Sequence, residues 1–195
     1  MKSPNTEKHW IFGYGSLICA DSRARTGFTG DALPVIVQGL QRHWSVALAR
    51  DDLSAVGVSS GNPDAETGGV LFSLSEQEFA EFDRREAEYQ RQQLSPSSVQ
   101  PLNGKPLPEG QFWVYKPHPS DSPHPIPQSY LDVILNGCLN ISTDFATHFI
   151  RHTGQWKPRL DDRHQPRYPR PLRPEQQTAW PQIDQLLATY LDGPR

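Results

Sequence analysis

Apolar residues come first in short runs and later at helical spacing, and that change of period organises the chain. Trp10-Ile11-Phe12 is the first run. It predicts a strand over residues 11–14 that breaks at once into a tight loop, Gly13-Tyr14-Gly15-Ser16-Leu17. Residues 1–8 are polar and predict a loose tail; residues 19–34 are polar and glycine-bearing and predict a loop. Val35-Ile36-Val37 with Leu40 opens a second apolar segment. It continues, weakly alternating, through Trp44-Ser45-Val46-Ala47-Leu48-Ala49 and suits a strand. Ala55-Val56-Gly57-Val58 is a further strand and Asn62-Pro63-Asp64 a turn. Gly68-Gly69-Val70-Leu71-Phe72-Ser73-Leu74 is the most apolar run and predicts a central strand.

After Leu74 the period becomes helical. Ser75 with Glu78 has capping-box spacing, and Leu74, Phe79 and Phe82 recur on one face, so a helix should run through about Arg85. Residues 87–100 are polar, with a strand beginning near Tyr89. Pro101-Leu102-Asn103-Gly104-Lys105-Pro106 reads as a hairpin-type turn before a strand at Gln111-Phe112-Trp113-Val114-Tyr115. The proline- and histidine-rich stretch 116–127 reads as a linker or lid. Helices follow over 129–139 and 142–152, the second ended by Gly154. Residues 155–174 are irregular and rich in arginine and proline, and a last helix covers about 175–191. Strands first and helices last indicate an α+β fold. One domain over 1–195 is expected, its end (155–195) an irregular basic segment plus a C-terminal helix.

Composition narrows the functions. With 195 residues the chain can bury a real core; its 35% hydrophobic content is low and its 19 prolines many, which fits a folded domain with long loops. A net charge of −3 argues against a general nucleic-acid or membrane-surface role. No apolar run approaches the ~20 residues of a membrane span. The polar start lacks a signal-peptide core, and Cys19 and Cys138 are too few for a disulfide scaffold. A reduced, cytoplasmic protein is expected.

The glycine loop is the first candidate site. Gly13 and Gly15 permit positive φ and close approach to a ligand, and such a loop can aim N–H groups at an anion or a developing oxyanion. Familiar glycine motifs do not fit. A dinucleotide fingerprint needs a third glycine where Ile18 stands, a nucleophile elbow needs glycines where Tyr14 and Ile18 stand, and no P-loop lysine follows. A plain strand-end turn stays open on spacing alone.

The second candidate is Phe82-Asp83-Arg84-Arg85-Glu86-Ala87-Glu88-Tyr89. Carboxylates at a helix C-terminus meet the negative end of the macrodipole, which pushes the pKa of a partly buried glutamate toward that of a useful base. The alternative is a solvated charged face.

Together these segments resemble the γ-glutamylcyclotransferase superfamily, with its AIG2-like and ChaC-like members. The resemblance rests on Phe12-Gly13-Tyr14-Gly15-Ser16-Leu17, on Gly39 with Arg42, on Gly69-Val70-Leu71-Phe72, on Leu74 through Glu86 and Tyr89, and on Tyr115. It implies a small mixed β-barrel with helices packed around it. It implies an enzyme that cyclises an N-terminal γ-glutamyl group to 5-oxoproline and releases the amine it was joined to. Tyr14, Gly15, Ser16 and Leu17 match the loop that binds the glutamyl group, Glu86 matches the catalytic glutamate, and Tyr89 and Tyr130 match tyrosines near the pocket. The substrate's own α-amine is the nucleophile, so one carboxylate serves as general base and then general acid. Intramolecular attack supplies proximity. No metal and no organic cofactor is expected, and the partner is a small γ-glutamyl substrate. The family often has glycine soon after this glutamate; here Ala87-Glu88 precede Tyr89, which makes Glu88 a rival base.

Other features stay secondary. His148 and His152 lie four apart with Asp144 one turn earlier, a spacing that suits a metal, although cations ending a surface helix are the plainer account. Arg151, Lys157, Arg159, Arg163, Arg167, Arg170 and Arg173, with Trp156 and Tyr168, make the stretch 151–173 locally basic. They can bind a polyanion, wrap the acidic body of the domain, or reach the pocket and meet a substrate carboxylate. Cys19 reads as a buried thiol or a reactive one, and Trp44, Trp113, Trp156 and Trp180 as core. Two alternatives to the enzyme remain: a non-catalytic binding module of the same fold, and a polyanion-binding protein using 151–173.

Overall fold

At Gly39 the chain turns with φ +80° and passes from one sheet to another, and this corner sets the architecture. The computed structural model describes residues 8–27, 30–48 and 52–192, so nearly all of the expected N-terminal tail lies outside the described residues. The strands are β1 (His9–Gly13), β2 (Ala32–Gln38), β3 (Leu40–Leu48), β4 (Leu53–Ser60), β5 (Glu66–Leu74), β6 (Gln90–Leu94), β7 (Val99–Pro101), β8 (Gln111–Lys116), β9 (Ile126–Pro127), β10 (Thr153–Gly154) and β11 (Arg159–Leu160). The helices are α1 (Ala20–Arg25), α2 (Glu76–Arg85), α3 (Gln128–Leu139), α4 (Thr143–Arg151) and α5 (Trp180–Tyr190), with short 3-10 turns at Ser16–Ile18, Pro96–Ser98 and Pro174–Ala179.

The fold is α+β. A six-stranded sheet runs in the order β6-β8-β1-β5-β2-β7, a three-stranded one in the order β10-β3-β4, and β11 pairs with β9. Among the described residues the strands make these three sheets, and their pairings do not close into one hydrogen-bonded ring. β5 sits inside the large sheet between β1 and β2, as its apolar run predicts. β1 is antiparallel to β5 and parallel to β8, so the loop after Gly13 starts from the middle of the sheet. Switching sheets at Gly39 forms a corner of the kind that joins packed sheets.

α2 begins with the capping box its sequence predicts: the Glu78 amide donates to Ser75 Oγ and the Ser75 amide to Glu78 Oε2. Ser142 likewise caps α4, accepting from the Phe145 amide at 3.0 Å. α3 is buried from Gln128 to Cys138 and forms the centre of the helical layer. Among the described residues, no helix is long and apolar enough to cross a membrane.

Several expectations change. The stretch 19–34 contains α1, whose Arg23 is buried and donates to the Leu17 and Ile18 carbonyls at 2.7 and 2.9 Å. A six-residue helix with a buried arginine has no apolar stripe to read. The described part of residues 35–49 falls in two strands, β2 and β3, rather than one segment. The turn at 101–106, with Asn103 and Gly104 both at positive φ, does not join paired strands: β7 pairs with β2, and β8 with β1 and β6. The last helix is preceded by a 3-10 turn. α4 ends at Arg151 with His152 as its cap, and Gly154 instead pairs with His43 of β3. Trp44 is fully buried, but Trp113, Trp156 and Trp180 are half-buried; both cysteines are buried thiols.

The helical layer meets the candidate loop at Gly137. A Cβ there would sit 2.6 Å from the Cys19 amide nitrogen and 2.7 Å from its Cα, contacts with backbone that no rotamer relieves. Gly137→Ala should therefore lower unfolding stability by about 1–3 kcal/mol, the usual cost of overpacking, as a shift in urea midpoint with an unchanged m-value.

Candidate functional site

The loop after β1 is held by two guanidinium groups, neither with a carboxylate partner among the described residues. Arg42 on β3 is buried and donates from Nη1 to the carbonyls of Tyr14 (3.1 Å) and Gly68 (2.7 Å) and from Nε to Thr153 Oγ1 (2.8 Å). Its guanidinium carbon lies 3.9 Å from the centre of the Phe149 ring, and burial lowers its pKa to about 10. At the other end of the loop Arg23 takes the Leu17 and Ile18 carbonyls. Between them the chain makes one 3-10 turn, with the Ile18 amide donating to the Gly15 carbonyl at 3.0 Å. The Ser16 and Leu17 N–H groups, first in that turn, are not used within it.

The glycines act through size rather than backbone conformation. Gly15 has φ −128°, and neither it nor Gly13 takes the positive φ expected. A Cβ on Gly15 would lie 2.9 Å from Val56 Cγ2 and 3.1 Å from the Tyr130 hydroxyl. Only a bare backbone passes between strand and helix here.

Glu86 is the residue that ends α2, its amide donating to the Phe82 carbonyl at 2.9 Å. α2 is seated by Phe82, whose ring centre is 5.0 Å from that of Tyr115, and by Asp83, which accepts from the Tyr115 hydroxyl at 2.9 Å. Asp83 also pairs with Arg91 at 3.0 Å. Glu86 follows three residues later. Burial raises its pKa above the ordinary carboxylate value, against the pull of Arg85 and Arg170. The direction is the one its place at a helix C-terminus predicts, with burial as the main cause.

A single cavity of about 270 Å³ brings together Tyr14, Gly15, Ser16, Leu17, Glu86, Tyr89 and Tyr130. Glu88 does not line it; this exposed side chain faces a separate surface hollow beside Pro117 and His118. The tyrosines stay neutral. Burial raises the pKa of Tyr14, Tyr89 and Tyr130, and the Glu86 carboxylate raises Tyr14 and Tyr89 further. Tyr14 donates to the Tyr115 carbonyl at 2.7 Å, tying the loop to β8.

The basic segment supplies a wall that spacing could not place: Arg167, Tyr168, Pro169 and Arg170 line the cavity, as do Thr26 and Arg85. Asp162 holds this wall. The Ser129 amide and hydroxyl donate to its two carboxylate oxygens at 2.7 and 2.6 Å, and the Arg167 amide donates at 2.9 Å. The Tyr168 amide then donates to Ser129 Oγ at 3.2 Å. A carboxylate at the start of α3 is favourable to the helix dipole. It also fixes residues 167–170 beside the cavity.

Other cations of the segment meet carboxylates. Arg163 donates to Asp132 at 2.7 Å and to Asp184 at 2.7 Å; Arg159 reaches Asp192 at 2.8 Å, Lys157 Asp121 at 3.2 Å and Arg173 Asp21 at 2.8 Å. These side chains wrap the acidic body instead of forming an unpaired basic stripe. Of the proline-rich stretch 116–127 only Pro127 lines the cavity. The rest straps the three-stranded sheet, with Ser54 Oγ bonded to Ser122 Oγ and to the His124 carbonyl, both at 2.7 Å. His148 and His152 are neighbours, but Glu66 of β5 rather than Asp144 completes their group.

No protein-family profile and no curated protein matches the sequence. Solved structures do match. A structure described as gamma-glutamyl cyclotransferase superposes with a TM-score of 0.61 at 14% identity, over 92% of this chain and 99% of the other. YkqA from Bacillus subtilis gives 0.60 at 18% identity, over 78% of this chain but only 56% of YkqA. The uncharacterized protein loc79017 from Homo sapiens gives 0.59 at 15% identity, over 80% and 95%. Superposing nearly end to end, this chain has the fold of the structure described as gamma-glutamyl cyclotransferase.

Proposed function

We propose that the protein is a γ-glutamyl cyclotransferase-like enzyme that releases 5-oxoproline from a γ-glutamyl amide. The observation that carries the reading is one cavity lined by both the Tyr14–Leu17 loop and a half-buried Glu86 with a raised pKa. The substrate's α-amine attacks its own γ-carbonyl carbon, and a C–N bond forms as the ring closes. The bond to the departing nitrogen breaks. Glu86 takes the proton from the attacking amine and delivers it to the leaving nitrogen, so no net proton is consumed. The N–H groups of Ser16 and Leu17 serve the substrate carboxylate or the tetrahedral oxyanion. Arg170, with Arg85 and Arg167 in the same wall, favours a leaving group that itself bears a carboxylate, an amino acid or peptide rather than a simple amine.

Glu86→Gln should lower kcat by about 10²–10⁴-fold, followed as 5-oxoproline release from a panel of γ-glutamyl amides. Activity that survives this change excludes Glu86 as the base, and no turnover by the native protein on any of the panel points to a binding module instead.

A pH series carries the sign of the shift. Glu86 must be ionised to act, so kcat/KM should rise with pH along a limb lying above 4.5, the ordinary glutamate value. Because the folded pKa is raised, ionised Glu86 costs stability: its favourable contribution is present below the unfolded pKa and lost as pH rises through the folded one. Glu86→Gln should thus be at least as resistant to urea as the native protein at neutral pH, with the difference vanishing in acid.

For the leaving group, kcat/KM on γ-glutamyl amino acids should exceed that on γ-glutamyl alkylamines by about tenfold, the worth of one charge-assisted hydrogen bond. Arg170→Met should level the two and, by removing a cation that lowers the Glu86 pKa, move the acidic limb upward.

A further inference from the structure

Away from the cavity, Glu66, His148 and His152 converge where α4 packs over the start of β5. The i,i+4 spacing brings the two imidazoles to one face of the helix end, with ring centres 4.0 Å apart and planes within 6°. His148 Nε2 stands 3.6 Å from Glu66 Oε2, too far for a hydrogen bond. One donor atom from each residue lies within 4.8 Å of the others. Both ring nitrogens of His148 are buried and have no hydrogen-bond partner, although buried polar atoms are nearly always satisfied. Two face-to-face imidazoles cannot satisfy each other. The rim is open: the Glu66 side chain is 38% exposed and His152 is exposed.

We propose that Glu66, His148 and His152 form a binding site for a divalent transition-metal ion of the zinc type. Two imidazoles and a carboxylate suit Zn²⁺, Co²⁺ or Ni²⁺ and do not suit Mg²⁺ or Ca²⁺. Zn–N and Zn–O distances of about 2.0–2.2 Å require the donors to draw in to roughly 3.3 Å from one another, a closure that side-chain rotation of His152 and Glu66 at the rim supplies. Three protein ligands leave a position for water. An imidazole ligates in its unprotonated form, so binding should weaken as pH falls. Arg42 is the nearby charge that opposes a cation, and the Glu66 carboxylate offsets it. The ion would clamp α4 to β5. Phe149, next to His148, lies under the Arg42 guanidinium that holds the Tyr14 carbonyl, so the clamp braces the loop without entering the cavity.

The test is titration of the full-length protein with Co²⁺ and Zn²⁺ near neutral pH, followed by visible absorption and calorimetry. One saturable site, with the d–d bands of Co²⁺ bound to nitrogen and a rise in Tm with Zn²⁺, is expected; Mg²⁺ should give neither. His148→Ala, His152→Ala and Glu66→Gln should each weaken binding, by at least the 10–100-fold that loss of outer-shell partners causes. His152 is exposed, so its variant reads out binding even if His148→Ala fails to fold. Absence of saturable binding below millimolar metal, or binding unchanged in His152→Ala, overturns the site.

Discussion

Everything at the cavity depends on a charge with no countercharge. Arg42 is 1% exposed and, among the described residues, no carboxylate pairs with it. Main-chain carbonyls, the Thr153 hydroxyl and the face of Phe149 stabilise it instead. Burying a cation this way is expensive, and hydrogen bonds to a charged donor, each worth about 1.5–3 kcal/mol, offset it only if every acceptor stays in place. The acceptors come from β5, from the loop after β1 and from β10. One guanidinium thus forces three separate chain segments into register. Arg23 closes the other end of the loop in the same manner. With its carbonyls engaged at Tyr14, Leu17 and Ile18, the loop has little freedom to collapse into the cavity.

Much of this was legible in the residues. Periodicity identified β5 and its central place, and the Ser75–Glu78 pair fixed where α2 starts. The Phe82–Tyr89 segment contained the carboxylate that lines the cavity. What periodicity reads is which face of an element is apolar; it does not read partners. It therefore missed α1, whose inward residues are Ser22 and Arg23, and it merged β2 with β3, since a change of sheet leaves the apolar pattern intact. It could not see that Glu66, more than eighty residues before His148, stands beside it. At Gly15 the loop pattern suggests conformational freedom, whereas the requirement there is space.

The basic stretch illustrates how composition misleads when charge is counted without geometry. Its cations look like a surface for a polyanion, yet Lys157, Arg159, Arg163 and Arg173 are each matched to a carboxylate of the domain. Asp132, 1% exposed, would be a severe liability without Arg163 and the amide of Gln128. Asp162 turns the same stretch back over the start of α3, and by this route Tyr168 and Arg170 come to lie opposite the loop after β1.

The position of Glu86 makes α2 a ruler. The helix is ten residues long, and its start is fixed by the Ser75 cap while Glu86 is simply the next residue beyond its end. Each residue of helix adds about 1.5 Å and turns the chain by about 100°. Loss or gain of a single residue between cap and end would therefore swing the carboxylate away from the cavity while leaving the composition of the motif intact. In comparing chains of this fold, the count of residues from cap to glutamate carries information that the bare presence of the glutamate does not.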